Sequence, residues 1–216
     1  MHERAVVVHA PAHAARLVLL FHGVGATASN LTSLGVAIAR ACPDAMVVSV
    51  DAPHPSTLGS GREWFSVVGI TEQDRPARIA QAMPLFGQAV AHWQQRAGVD
   101  AARTTLIGFS QGAIMALEST QTGDTAVPPP ATQIVSLAGR FAAPVRSAPA
   151  GVRYHLIHGA QDGVIGVQYA RQAAAELATL GAGVTLDELQ GLGHGIDARE
   201  VQLVLGYLHT TLEAPA

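Results

Sequence analysis

Residues 104–119 read Thr104-Thr105-Leu106-Ile107-Gly108-Phe109-Ser110-Gln111-Gly112-Ala113-Ile114-Met115-Ala116-Leu117-Glu118-Ser119. The first part is a short β-branched and apolar run of strand type, and the last part has the composition of a buried helix. Between them, Gly108 to Gly112 fits the pattern G-x-S-x-G at a strand-to-helix turn. A side chain on so sharp a turn is held in a strained backbone and projects its hydroxyl outward. Flanking glycines let the turn close and the helix pack against the strand. Ser110 is therefore the candidate nucleophile.

Outward from this turn, short apolar runs alternate with longer segments of helical period. Strands are expected over 5–9, 16–21, 45–50, 104–109, 133–137, 154–158 and 184–188, and helices over 31–41, 72–96, 111–119, 166–180 and 198–211. Such alternation predicts an α/β fold, a mainly parallel central sheet of about seven to eight strands flanked by helices. Leu17-Val18-Leu19-Leu20-Phe21 is continuously apolar, as a central strand buried on both faces must be. The first strand is expected at an antiparallel edge. Residues 52–70 and 121–131, rich in Pro, Ser and Gly, read as surface loops; Trp64 and Phe65 inside the first favour a functional segment over a floppy connection.

The chain has 216 residues, read as a single domain over 1–216 with no large lid domain. It is 49% apolar and 13% charged, enough for a large core and little for a disordered tail. There is no lysine, which removes Schiff-base, phosphate-loop and Ser-Lys chemistries, and a single cysteine, Cys42, excludes an internal disulfide. Zinc-ligand spacings are absent, so no metal and no organic cofactor are expected. A net charge of −3 offers no basic footprint for nucleic acid or for an anionic membrane. Residues 1–15 lack the apolar stretch of a secretory signal, and no apolar run approaches the roughly 20 residues of a membrane span. The expected location is the cytoplasm, as a monomer or homodimer.

A serine hydroxyl needs a base within hydrogen-bond reach and a third group that orients the base. Two later segments offer them: His158-Gly159-Ala160-Gln161-Asp162 after one strand, and Gly191-Leu192-Gly193-His194-Gly195 after the next. His194 is the candidate base and Asp162 the candidate acid, with Asp187 and Asp197 as competitors for the acid. His155 and His158 look like a metal pair, but three residues apart on a strand they face opposite ways and read as structural. An oxyanion needs two donors. The amide of Gln111 supplies one, and that of Val24, in Phe21-His22-Gly23-Val24-Gly25, the other, with His22 ordering the turn.

Taken together, these segments resemble the phospholipase/carboxylesterase family of small α/β-hydrolase serine esterases, the group that includes acyl-protein thioesterases and lysophospholipases. The resemblance covers nearly the whole chain and rests on residues 20–25, Trp64-Phe65, residues 107–112, residues 158–162 and Gly193-His194, all in the family's order. Residues 61–67 and 108–119 look like its bacterial esterase branch. Two positions depart from the pattern: Ala26 stands where an acidic residue often follows the H-G-x-G turn, and Gly163 where proline often follows the acid. The resemblance implies Ser110, Asp162 and His194 as the catalytic triad, Val24 and Gln111 as the oxyanion hole, and Trp64 and Phe65 as substrate-binding residues near the acyl pocket. The expected activity is serine carboxylesterase hydrolysis of short- to medium-chain acyl esters. An acyl thioesterase or lysophospholipase with the same triad is the alternative, and a catalytically silent acyl-binding module the remoter one.

Overall fold

The computed structural model describes residues 4–121 and 128–210. Residues 1–3 of the N-terminal stretch, most of the expected loop 121–131, and residue 211 of the last expected helix lie outside the described residues.

All seven expected strands form and lie in one sheet: β1 (Ala5–His9), β2 (Arg16–Phe21), β3 (Ala45–Val50), β6 (Thr104–Phe109), β7 (Gln133–Leu137), β8 (Arg153–Gly159) and β9 (Gly183–Leu189). Their order is β1-β3-β2-β6-β7-β8-β9, parallel throughout except β1, which runs antiparallel to β3 at the edge. The strands β4 (His54–Pro55) and β5 (Arg62–Glu63) form a separate two-stranded ribbon. The helices are α1 (Thr32–Ala41), α2 (Arg75–Ala97), α3 (Gln111–Glu118), α4 (Gln168–Thr179) and α5 (Ala198–Thr210).

The period-2 geometry of β2 divides its apolar run between two cores. Leu17, Leu19 and Phe21 join the cluster beneath α2, α3 and α4, while Val18 and Leu20 join the one beneath α1 and α5. All five are fully buried, each contributing roughly 1.5–3 kcal/mol. Helix α2 begins at residue 75 rather than 72. Thr71 and Asp74 first form a local turn, with the Thr71 amide donating to Asp74 Oδ1 at 2.8 Å, and Pro76 occupies the first helical turn.

From β2 the chain moves to β3 on one side and returns through α2 to β6 on the other. The carboxyl ends of β2 and β6 therefore flank a crevice at the point where the strand order reverses, where ligands bind in open α/β sheets. Residues 52–70 are not surface loop throughout, because the β4–β5 ribbon folds its end inward. Trp64 is 2% exposed, with its ring packed on Phe21 and Phe86.

Candidate active site

Ser110 joins β6 to α3 with φ 53° and ψ −115°, a backbone conformation that costs energy in any residue but glycine. The surroundings enforce it. The Ser110 amide donates to Leu137 O at 2.9 Å, and the Ser110 carbonyl accepts from Ile114 N at 3.0 Å. A Cβ on Gly108 would stand 2.3 Å from Ala113 N, and one on Gly112 2.1 Å from Phe21 O, so both glycines are required by close backbone approach.

His194 lies in the loop between β9 and α5, and Asp162 in the loop after β8. The Ser110 hydroxyl is 2.9 Å from His194 Nε2, and His194 Nδ1 is 2.7 Å from Asp162 Oδ2. With Nδ1–H donating to the carboxylate, Nε2 is left as an acceptor for the serine proton. Asp162 Oδ1 accepts the amides of Val164 at 2.8 Å and Ile165 at 2.9 Å, and its side chain is fully buried. Burial alone would raise the Asp162 pKa; the hydrogen bonds from His194, Val164 and Ile165 outweigh it and hold the carboxyl below its ordinary value. The His194 side chain is 17% exposed and packs at a tilt against Phe109, with ring centres 5.1 Å apart.

The competing carboxylates are engaged elsewhere. Asp187, on β9, accepts the Tyr207 hydroxyl. Asp197 caps α5, with Oδ1 accepting the Arg199 amide at 2.8 Å and the Glu200 amide at 3.3 Å. His155 and His158 do face opposite ways. His155 stacks on Tyr207, with ring centres 3.8 Å apart, and reaches Thr185 Oγ1 at 2.9 Å. His158 turns toward the Asp162 loop, a contact that strand geometry alone did not reveal: its Nε2 is 2.7 Å from Ile165 O and 3.3 Å from Asp162 Oδ2.

Val24 sits in the turn after β2, where the Gly25 amide is committed to Arg62 O at 3.0 Å and the Ala26 amide to Gly23 O at 3.2 Å. His22 orders this turn through Nδ1, 2.7 Å from Gly23 O, while Nε2 accepts the Ala52 amide at 3.1 Å. Burial pushes its pKa down, consistent with a neutral ring that donates at one nitrogen and accepts at the other.

Trp64 and Phe65 belong to the core yet also line a cavity of about 370 Å³ with His54, Ser66, Arg78 and Gln81. A second cavity, of about 340 Å³, lies between the starts of α2 and α4 beside Phe141 and Arg140, whose guanidinium pairs with Glu72 at 2.7 Å and covers the Tyr169 ring. The sequence reading missed Arg140 as well as the side chain of Gln111. The Gln111 Oε1 accepts the Trp64 amide at 2.7 Å, and its Nε2 donates to Phe65 O at 2.8 Å. A polar residue next to the serine was the only local signal. Among the described residues no cluster of His, Cys, Asp and Glu side chains could hold a metal ion, and no helix is long and apolar enough to cross a membrane.

Comparison with known proteins agrees with this architecture. The sequence profile of the phospholipase/carboxylesterase family matches residues 2–212. The chain is 44% identical to esterase YpfH of Escherichia coli (strain K12) over 211 residues, 98% of this chain and 89% of that protein. The crystal structure of esterase PE8 superposes with a TM-score of 0.85 at 29% identity, covering 96% of this chain and 97% of that one. Zea mays acyl-protein thioesterase 2 shares the fold, with a TM-score of 0.72 at 20% identity over 97% of this chain and 99% of its own. The chain belongs to the phospholipase/carboxylesterase family and is a serine hydrolase with the α/β-hydrolase fold.

Proposed function

We propose that this protein is a carboxylesterase for short- to medium-chain acyl esters, working through Ser110, His194 and Asp162 as a catalytic triad, with residues 1–216 acting as one domain. The observation that carries this reading is the unbroken chain from the strained Ser110 through His194 Nε2 at 2.9 Å to Asp162 at 2.7 Å. In the first half-reaction the Ser110 oxygen attacks the acyl carbonyl while His194 Nε2 takes the hydroxyl proton. The tetrahedral oxyanion is held by the amides of Val24 and Gln111. His194 returns the proton to the departing alkoxide as the acyl-enzyme forms. Water, deprotonated by the same nitrogen, then releases the carboxylic acid and restores Ser110. Asp162 keeps the imidazole in the required tautomer and stabilises its transient positive charge.

Trp64 and Phe65 stand beside the acyl site in this reading, supported by the bonds of their backbones to the Gln111 side chain; the cavity they line includes neither Ser110 nor His194. The test is hydrolysis of p-nitrophenyl acetate, butyrate, octanoate and palmitate by wild type and by Ser110→Ala. Wild type should be fastest on the shorter chains, and the variant slower by about 10⁴–10⁶ in kcat. Equal, slow hydrolysis by both proteins would refute the reading. Preference for palmitoyl thioester over every oxyester would replace it with a thioesterase.

A further inference from the structure

The two amides assigned to the oxyanion come from distant parts of the chain, the turn after β2 and the start of α3. A single segment, residues 62–65, is bonded to both. On one side the Gly25 amide donates to Arg62 O at 3.0 Å and the Arg62 amide to Ala26 O at 2.8 Å, an isolated antiparallel bridge that clamps the residues just after Val24. On the other side, two residues along, the Gln111 side chain accepts from Trp64 N and donates to Phe65 O, at 2.7 and 2.8 Å.

The segment has little freedom to shift. Trp64 is wedged against Phe86, ring centres 5.1 Å apart, and against Phe21, the residue that leads into the Val24 turn. The Arg62 guanidinium is tied back to the carbonyls of Ala52 and Pro53, and a Cβ on Gly61 would meet Gly25 O at 2.1 Å, so ribbon and turn are in direct contact. Gln111 is 2% exposed, and both polar ends of its side chain are consumed by this segment.

We infer that residues 62–65 are the spacer that sets the separation of the Val24 and Gln111 amides, and that the side chain of Gln111 is the positioning group that locks the spacer to the nucleophile turn. This rests on the reading of Ser110 as nucleophile and deepens it: Gln111 serves through its backbone as a donor and through its side chain as the brace of the opposite donor. Oxyanion stabilisation depends on donors placed in advance, and a displacement of about 1 Å can cost on the order of 100-fold in rate. The spacer therefore acts on the transition state and leaves ground-state binding of the ester nearly unchanged.

The test compares wild type with Gln111→Met, of similar length but unable to make either bond, and with Gly61→Ala, which pushes the ribbon off the Val24 turn from the other side. The readouts are kcat and KM on p-nitrophenyl butyrate and the inhibition constant of butylboronic acid. In the inhibitor complex Ser110 Oγ bonds to the trigonal boron, its proton passes to His194, and the tetrahedral boronate carries the negative charge with a hydroxyl oxygen at the oxyanion position. Both variants should lose about 10–100-fold in kcat with KM within about threefold of wild type. Butylboronic acid should weaken by a similar factor. A folded Gln111→Met with kcat and boronate affinity within twofold of wild type overturns the inference, as does a rise in KM at unchanged kcat. If Gln111→Met does not fold, Gly61→Ala decides by the same criteria. Ser110→Ala, run in parallel, separates the two levels: activity surviving in it refutes the nucleophile, whereas its loss beside a wild-type-like Gln111→Met refutes only the spacer.

Discussion

Nε2 of His158 stands 3.3 Å from Oδ2 of Asp162, the same oxygen that receives His194 Nδ1–H at 2.7 Å. The two imidazoles meet one carboxylate, but their links differ. His194 connects it to Ser110, while His158 Nε2–H donates to Ile165 O at 2.7 Å and fastens the turn that carries Asp162 to the end of β8. Replacing Asp162 by Asn should cost about 10⁴ in kcat, because the amide can present a donor to His194 and favour the wrong tautomer. His158→Phe removes only the fastening and should cost far less, on the order of 10-fold. Steady-state kinetics on one p-nitrophenyl ester would test both, and a His158 variant as impaired as Asp162→Asn would show that His158 does more than hold the turn.

Glycines near the site are not equivalent. A Cβ at Gly112 would overlap Phe21 O, so Gly112→Ala must separate α3 from β2 and should reduce both melting temperature and activity. Gly163, in the Asp162 turn, has no atom within 4 Å of its Cβ position and no positive φ. Gly163→Ala should leave kcat within about twofold and stabilise the fold by about 0.4–1 kcal/mol through a less flexible unfolded chain. Thermal melts and kinetics on the pair test this, and it fails if the two substitutions behave alike.

Glu200, in the first turn of α5, is fully buried, and neither of its carboxyl oxygens makes a hydrogen bond of ordinary geometry among the described residues. Burial raises its pKa to about 7, with the charges of Asp197 and Asp162 pushing the same way and Arg199 and the Asp197 backbone offsetting only part. The folded protein therefore keeps a proton that the unfolded chain releases near 4.5. This group's contribution to stability must fall as pH rises from about 4.5 to 7, by about 3 kcal/mol at most. Glu200→Gln abolishes that slope, so urea denaturation should show the variant gaining on wild type between pH 5 and pH 8. An unchanged difference at the two pH values would show that Glu200 is ionised throughout.

His155 gives the opposite sign. Burial, assisted by Arg153, lowers its pKa to about 4, so the unfolded chain takes up a proton near 6.5 that the folded protein refuses. Its contribution is complete above about pH 6.5 and is lost as pH falls toward 4. His155→Phe retains a ring against Tyr207 and cannot titrate; its stability should fall less steeply on acidification than that of wild type. Parallel slopes for the two proteins from pH 7 to pH 4 would contradict this.

How the chain folds was largely legible in its sequence, because the signals are local. Residues 17–21 can be apolar at every position only if both faces of the strand are covered, and residues 104–117 spell strand, tight turn and helix without help from elsewhere. The succession of Ser110, Asp162 and His194 after three strands was equally visible, since side chains that follow parallel strands emerge at one end of the sheet. Asp162 was the candidate acid in the sequence and is the carboxylate His194 meets; tertiary structure alone decided what engages its two competitors. Asp187 and Asp197 lie nearer in sequence, but the ladder register directs one to Tyr207 and the helix cap consumes the other. The same holds for Trp64, whose burial depends on the β4–β5 ribbon, and for Gln111, whose partners lie 47 and 46 residues away. Periodicity reports how a residue relates to its neighbours along the chain; contacts across such separations depend on how strands and turns pack, and no local pattern encodes that packing.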